Sequence, residues 1–244
     1  IMNRRKKHWF NEYENEYNAL YWTCILLEEW KLQKDTIREY SPYDFFKKYA
    51  EEYYKLDTAY RKFIYFFDKL NNKEWFTSLK EKIENTYING FINTLSIKWS
   101  ESIKSLEEYW EISPASYQWE FFNKQIKPHL QNGERVFVII SDALRFEAGK
   151  ELAEILNNER RGSTEITAVQ GVIPSYTKLG IGALIPHKSI SINSDYDIFV
   201  DGISVEGIDN RNMILQKHVE KSIAVQYKDI IDLRKDDLRK LLSG

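Results

Sequence analysis

Two different patterns of apolar positions divide the sequence into two halves. Before about residue 130, apolar residues recur every three or four positions, and turn-forming residues are rare over long stretches. After it, short β-branched runs alternate with amphipathic segments. The first pattern predicts helices and the second predicts strands that alternate with helices. We therefore predict an all-helical bundle domain over residues 1–130, followed by an α/β domain over residues 131–244.

The clearest helix is predicted between Tyr43 and Leu70. Steps of three and four separate its apolar positions, which are Phe46, Tyr49, Tyr53, Leu56, Tyr60, Phe63, Phe67 and Leu70. This heptad seam predicts a long helix that packs on a partner helix through aromatic side chains. Two further stripes predict partner helices, one with Tyr17, Leu20, Tyr21, Cys24, Leu27 and Trp30, the other with Phe76, Leu79, Ile83 and Tyr87.

The second half alternates strands and helices in a regular order. We predict strands over 135–141, 165–172, 197–200 and 222–227, and helices over 144–157, 177–185, 208–219 and 232–242. Strict alternation of this kind predicts a parallel sheet that is wrapped by helices.

Composition narrows the class of protein. With 43% hydrophobic and 30% charged residues, the chain is typical of soluble globular proteins. A net charge of −2 argues against a protein that grips nucleic acid through overall positive charge, although the basic group Arg4-Arg-Lys-Lys7 leaves local contact open. The single cysteine, Cys24, excludes an internal disulfide and suits a reducing compartment. Without an apolar run of about twenty residues or a signal peptide, we expect a cytoplasmic protein with no membrane partner.

Asp142 is the first candidate site residue. It follows the apolar run Val136-Phe-Val-Ile-Ile-Ser141 and precedes a predicted helix. In open parallel sheets, ligands bind beyond the carboxyl ends of the strands, so this carboxylate is placed where chemistry occurs. The alternative is structural, because aspartate is also a favoured N-cap of a following helix.

Thr177 is the second candidate. It follows Pro174 and lies near the start of a predicted helix, where unpaired amides and the helix dipole stabilise an anionic phosphoryl group. An ordinary capping threonine is the structural alternative. Ser175 is the rival nucleophile.

Other side chains near these positions carry weaker signals. Arg145 and Lys178 are candidates for binding phosphate oxygens, with the alternatives that Arg145 orients Asp142 or Glu147 and that Lys178 is solvated surface charge. His187 is a candidate zinc ligand or a structural loop histidine. Asp201-Gly202 ends the third predicted strand, either beside the site or as a simple turn.

Four segments together resemble a known family. They are Val136–Glu147, Val172–Gly180, Ala183–His187 and Val200–Gly207, the last followed by Arg211. In order and spacing they resemble the start of a type A PglZ domain, the alkaline-phosphatase-like component of BREX phage-resistance systems. The resemblance implies a metal-dependent hydrolase fold with two ions, commonly zinc. It also implies that Asp142 is a metal ligand and that Thr177, in the Pro-x-x-Thr motif from Pro174, is both nucleophile and ligand.

The resemblance also sets expectations about activity and partners. PglZ domains continue with further Asp and His ligands, typically in an Asp-His-Gly strand end, which does not occur before Gly244. We therefore expect an incomplete alkaline-phosphatase-like sheet and an inactive fragment. The implied substrate is a phosphomonoester, a phosphodiester or a nucleotide, and the implied partners are other BREX proteins such as a methyltransferase-like component.

Two other classes of function compete with the hydrolase. One is a scaffold, in which the helical half docks defence-system partners without catalysis. The other, a Rossmann-type nucleotide binder, is weaker because no Gly-x-Gly-x-x-Gly follows the first strand.

Overall fold

The structure is a computed structural model that describes residues 8–106, 109–159 and 162–242. The basic group at residues 4–7 lies outside the described residues. In chain order, the α-helices and strands are α1 (Glu14–Gln33), α2 (Pro42–Lys48), α3 (Tyr54–Asp68), α4 (Thr77–Glu84), α5 (Asn93–Ile103), α6 (Lys127–Gln131), α7 (Phe146–Asn158), α8 (Thr177–Leu184), β1 (Ile190–Ile192), β2 (Ile198–Val200), β3 (Ile203–Ser204), α9 (Ile208–His218), α10 (Tyr227–Ile230) and α11 (Lys235–Leu242).

The chain divides into two compact units. The first contains the described residues up to Pro114 together with Ala143–Ala168, and the second contains Ala115–Asp142 and the chain from Val169 onward. Helix α7 therefore belongs to the mainly helical first unit, although it comes from the second half of the sequence. The predicted domain boundary at residue 130 stays a prediction.

Two long helical stretches form the frame of the first unit. The π-helical segment Tyr49–Tyr53 joins α2 to α3, and a second one, Asn85–Ile92, joins α4 to α5. The first stretch begins where Ser41 caps it, because Ser41 Oγ accepts a hydrogen bond from the Asp44 amide at 3.1 Å and Pro42 occupies the first helical turn.

The predicted aromatic seam is confirmed. Tyr53, Leu56 and Phe63 are fully buried, and the seam contributes to one apolar core of the first unit. The predicted stripe on α1 is right only in part, because Leu27 and Trp30 pack against this core but the buried positions are Ala19, Thr23 and Leu26. Helix α1 packs on α3, whose large side chains fill the interface, so small side chains on α1 allow the two backbones to approach.

The second unit contains a small antiparallel sheet. Its strand order is β1-β2-β3, with Ile190 opposite Val200 in the first pair and Val200 opposite Ile203 in the second. Helix α8 packs on this sheet through Gly182, where an added Cβ would lie 3.3 Å from Ile198. Val172, Leu179 and Ile214 contribute to the same apolar core.

The predicted parallel sheet is corrected for the described part of the chain. β2 and β3 are joined by Asp201-Gly202, whose φ angles of 49° and 79° match the turn that closes a two-residue antiparallel hairpin. This local geometry excludes a crossover helix at that point. The turn interpretation of Asp201-Gly202 is confirmed.

The first predicted strand is extended but unpaired. Residues 135–141 belong to no strand, and the only bridge that the described residues form near 165–172 is a parallel one between Tyr117 and Gln170. Strands of parallel sheets are normally buried on both faces, yet Phe137 and Ile139 are 63% and 90% exposed. Their apolar side chains therefore have no covering layer among the described residues. Residues 222–227 also form no strand.

No helix in the described ranges is both long and apolar enough to cross a membrane.

Candidate functional site

Asp142 and Thr177 meet in the second unit. Thr177 Oγ1 donates a hydrogen bond to Asp142 Oδ2 at 2.9 Å, although 35 residues separate the two in sequence. Both residues are exposed to solvent. The structure thus brings the two main candidates into direct contact, and their proposed roles in chemistry stay predictions.

Neither residue is an N-cap. Arg145 occupies that position before α7, so Asp142 lies in the preceding turn. Ala143, which follows Asp142, has a φ of 57°, a conformation that is uncommon for a residue with a Cβ. Tyr176 is the N-cap residue of α8, and Thr177 is its first helical residue. The capping alternatives therefore do not explain why these two side chains are oriented toward each other.

Gln118 forms hydrogen bonds on both sides of the loop that carries Thr177, and no local sequence pattern predicts this role. Its Oε1 accepts from the Val172 amide at 3.1 Å, and its Nε2 donates to the Gly180 carbonyl at 3.0 Å. The backbone of Gln118 also donates to the Gln170 carbonyl at 2.9 Å. One side chain thus links the segment before the loop to the first turns of α8, which fixes the start of that helix.

Lys178 and Ser175 flank Thr177 differently. Lys178 Nζ lies 3.2 Å from Glu206 and 3.5 Å from Asp197. The hydrogen bond that Lys178 donates to Glu206 is the main reason that the pKa of Lys178 is raised. Lys178 is therefore already neutralised by two carboxylates, whereas Ser175 lies exposed in the loop.

Arg145 and Glu147 belong to a buried charge network in the first unit. Glu147 is 1% exposed, and its Oε1 lies 2.9 Å from Arg145 Nε and 3.6 Å from Arg61 Nε. Neither of its oxygens has a partner with hydrogen-bond geometry among the described residues, so charge attraction holds it. Arg61 also pairs with Glu151 at 2.6 Å. Arg145 thus has a structural use in this unit.

Asp57 completes that network. Its two carboxylate oxygens accept from Tyr49 at 2.7 Å and from Tyr87 at 2.5 Å, and Arg145 lies 3.8 Å away. Burial, followed by the charge and hydrogen bond of Asp57, raises the pKa of Tyr49. Burial and the Asp57 hydrogen bond likewise raise the pKa of Tyr87. Both phenols therefore stay protonated as donors at neutral pH.

His187 and Asp201 have structural partners within the second unit. His187 Nδ1 lies 2.7 Å from the Ile185 carbonyl oxygen. Asp201 Oδ1 accepts from the amides of Lys188 and Ser189, both at 2.9 Å, and Oδ2 lies 3.0 Å from His218 Nε2. Partial burial raises the pKa of Asp201, but the hydrogen bonds outweigh it and lower the pKa to about 2.

The contact between Asp142 and Thr177 fits two ligands of a metal centre. A carboxylate and a hydroxyl are oxygen donors of the kind that divalent cations bind, and both are open to solvent. Across residues 8–106, 109–159 and 162–242, no group of three or more His, Cys, Asp or Glu side chains is arranged to hold an ion. Asp142 and Thr177 therefore fit part of a metal centre, and the described residues do not complete it.

Comparisons with known proteins give a consistent result. Residues 121–244 match the family described as the BREX system PglZ alkaline phosphatase-like domain. The chain is 44% identical over its whole length to the alkaline phosphatase-like protein PglZ of Bacillus cereus strain H3081.97. It is 36% identical over 99% of its length to the alkaline phosphatase-like protein BrxZ of Escherichia coli O9:H4 strain HS.

The chain spans 29% of the length of each of these curated relatives. No solved structure matches it. The family match covers slightly more than half of the chain and includes Asp142, Thr177 and helix α8. On this basis, the chain belongs to the PglZ family of BREX system alkaline phosphatase-like domains.

Proposed function

We propose that this chain supplies two metal ligands, Asp142 and the nucleophile Thr177, of a phosphoester hydrolase that acts in a BREX antiphage system. The observation that carries this function is the 2.9 Å hydrogen bond from Thr177 Oγ1 to Asp142 Oδ2. The names of the two relatives support the alkaline-phosphatase-like class and the assignment to BREX.

The two side chains have distinct tasks. Thr177 Oγ1 forms a bond to phosphorus while the bond from phosphorus to the leaving oxygen breaks, and the threonine proton ends on the leaving alcohol. Water then attacks the phosphothreonine, which restores the hydroxyl and releases phosphate from a monoester or a phosphomonoester from a diester. Asp142 orients the threonine hydroxyl, since its Oδ2 accepts the hydroxyl hydrogen in the resting state. A divalent cation, most simply zinc, would lower the pKa of the hydroxyl and neutralise phosphate charge.

The position of Thr177 favours this chemistry. It is the first residue of α8, an eight-residue helix whose first amides have no partners within the helix. Those amides and the positive end of the helix dipole stabilise the negative charge that a phosphoryl group brings.

Neither Lys178 nor Arg145 is required for this function. Lys178 is paired with Glu206 and Asp197, and Arg145 is paired with Glu147. We infer that phosphate charge is neutralised chiefly at the metal and by the α8 amides.

The class of substrate and partner follows from the family. We propose a phosphomonoester, a phosphodiester or a nucleotide as substrate, a two-ion zinc centre in the whole protein, and other BREX proteins, such as a methyltransferase-like component, as partners in the cytoplasm. The remaining metal ligands would come from sequence beyond the described residues.

Turnover of an aryl phosphate tests the nucleophile. It should be measured with added zinc, in a polypeptide that carries this chain within the full length of its relatives. Thr177→Val removes the hydroxyl but keeps the shape, and we expect activity to fall about a thousandfold or more. Ser175→Ala, two residues away, is the matched control and should retain activity.

Two results would contradict this function. Unchanged turnover in Thr177→Val would show that another group attacks phosphorus. A complete protein that neither binds zinc nor hydrolyses any phosphoester would support the scaffold interpretation instead.

A further inference from the structure

A cavity with a partly polar lining lies in the second unit, at the opposite end of α8 from Thr177. Its volume is about 360 Å³, and its lining includes Lys127, His187 and His218. Thr177 begins α8 and His187 follows its last turn. Because a helix rises about 1.5 Å per residue, the two ends of this helix lie about 12 Å apart. The cavity is therefore separate from the site where Asp142 and Thr177 are in contact.

The lining is electropositive. Lys127 contributes a permanent positive charge, and the described residues that line the cavity include no carboxylate. The nearby Asp201 is already occupied, because it accepts from two backbone amides and lies 3.0 Å from His218 Nε2. Among the described residues, Lys127 has no ion-pair partner within 4.0 Å. An anionic group beside Lys127 would therefore supply a missing countercharge.

Each histidine uses one ring nitrogen within the fold. A carbonyl oxygen can only accept, so His187 Nδ1 carries the hydrogen toward Ile185, and Nε2 is its other ring nitrogen. His218 Nε2 lies 3.0 Å from Asp201 Oδ2, so Nδ1 is its other ring nitrogen. A hydroxyl group both donates and accepts, so it can form a hydrogen bond with an imidazole nitrogen in either role.

The rest of the lining suits a planar ring. Phe122 and Leu130 contribute apolar surface, and Asn123 and Gln131 each carry an amide that both donates and accepts. An amide of this kind can read the edge of a heterocyclic base. The volume is within the range of sites for small molecules, which typically hold about 300 to 1,000 Å³.

We propose that this cavity binds a nucleoside monophosphate. The phosphate pairs with Lys127, the ribose hydroxyls form hydrogen bonds with His187 and His218, and the base lies on Phe122. The site is separate from the proposed hydrolytic centre and does not require a metal ion.

Titration calorimetry with AMP tests this site in the 244-residue chain, with a chelator present to exclude metal-dependent binding. Lys127→Met should weaken AMP binding about tenfold or more, because it removes the countercharge. Lys124→Met is the matched control. It lies on the same segment but pairs with Glu120 at 2.8 Å, and it should bind AMP like the unaltered chain.

Binding of adenosine and of inorganic phosphate, each measured alone, separates the contribution of the nucleoside from that of the phosphate. We expect each to bind more weakly than AMP, because each lacks half of the contacts. Inorganic phosphate that binds as tightly as AMP would exclude the nucleotide class. Equal binding by the unaltered chain, Lys127→Met and His218→Gln, or no binding of AMP at all, would overturn the site.

Failure of this site and failure of the proposed function are distinguishable. Thr177→Val and Asp142→Ala should leave AMP binding unchanged with the chelator present. If either variant abolishes AMP binding, the nucleotide lies at the hydrolytic pair and the second site is wrong.

Discussion

Two aspartates, one in each unit, are placed in opposite ways. Asp57 is 3% exposed, and two tyrosines donate to its carboxylate within the helical unit. Asp142 is exposed and accepts from Thr177 in a turn of the second unit. Asp57 stabilises the fold, because without it the hydroxyls of Tyr49 and Tyr87 would lose their hydrogen-bond acceptor. Exposure leaves Asp142 open to a ligand.

The largest expected loss of stability comes from substituting Asp57, the buried aspartate. Asp57→Ala leaves the hydroxyls of Tyr49 and Tyr87 without their acceptor and removes one of the two carboxylates beside Arg145. We expect a loss of about 3 kcal/mol or more in the free energy of unfolding, measured in urea. Asp142→Ala is the control and should lose less than about 0.5 kcal/mol. Equal losses in the two variants would remove the distinction between them.

A smaller effect is expected from one hydroxyl of the same network. Tyr87→Phe removes the donor to Asp57 Oδ1 but keeps the ring that packs on Tyr60. We expect a loss of about 1.5 kcal/mol in the free energy of unfolding. Tyr65→Phe, at a tyrosine that is 51% exposed, should change it by less than about 0.5 kcal/mol. If Tyr87→Phe is as stable as Tyr65→Phe, the hydrogen bond from Tyr87 to Asp57 does not stabilise the fold.

Asp201 gives the second unit a dependence of stability on pH. Its pKa falls from an ordinary 3.8 to about 2 in the folded chain. A lowered pKa stabilises the folded state above the unfolded value, and this stabilisation is lost as pH falls from about 4 to about 2. We expect Asp201→Asn to remove about 1 kcal/mol at neutral pH, and the difference from the unaltered chain to shrink toward pH 2. A difference that stays constant between pH 5 and pH 2 would contradict the lowered pKa.

The smallest expected change in stability concerns residues 135–141, which were predicted as a strand but form none. Ile139 is 90% exposed, so Ile139→Asn should change the free energy of unfolding by less than about 0.5 kcal/mol. Ile198 in β2 is 1% exposed, and Ile198→Asn should cost several times more. A large loss in Ile139→Asn would indicate that residues 135–141 are covered after all.

Local sequence patterns predicted part of this fold. The aromatic seam of α3 could be read from spacing alone, because Tyr53, Leu56 and Phe63 repeat on one helical face. The buried face of α1 could not, since it depends on which helix packs against it. The order of elements also favoured a parallel sheet, yet strand pairing is a long-range property. The Asp201-Gly202 dipeptide, a known hairpin signal, pointed the other way.

The sequence predicted the two main residues of the candidate site but not the residues that support them. Position relative to predicted strand ends and motif spacing indicated Asp142 and Thr177, which lie in contact. Gln118 and Asp57 were missed, because each acts through hydrogen bonds to residues that are distant in sequence. No local pattern marks such partners. Conversely, Arg145 lies within a recognisable motif, but its contacts with Glu147 and Asp57 depend on tertiary packing.

Zinc binding by this chain tests the central claim most directly. Titration calorimetry should compare the unaltered chain with Asp142→Ala and Thr177→Val, and Asp195→Ala serves as a control at another exposed aspartate. If Asp142 and Thr177 share one cation, we predict that each of the first two variants weakens zinc binding about tenfold or more, while the control does not. Zinc affinity that is the same in all four proteins would contradict the claim.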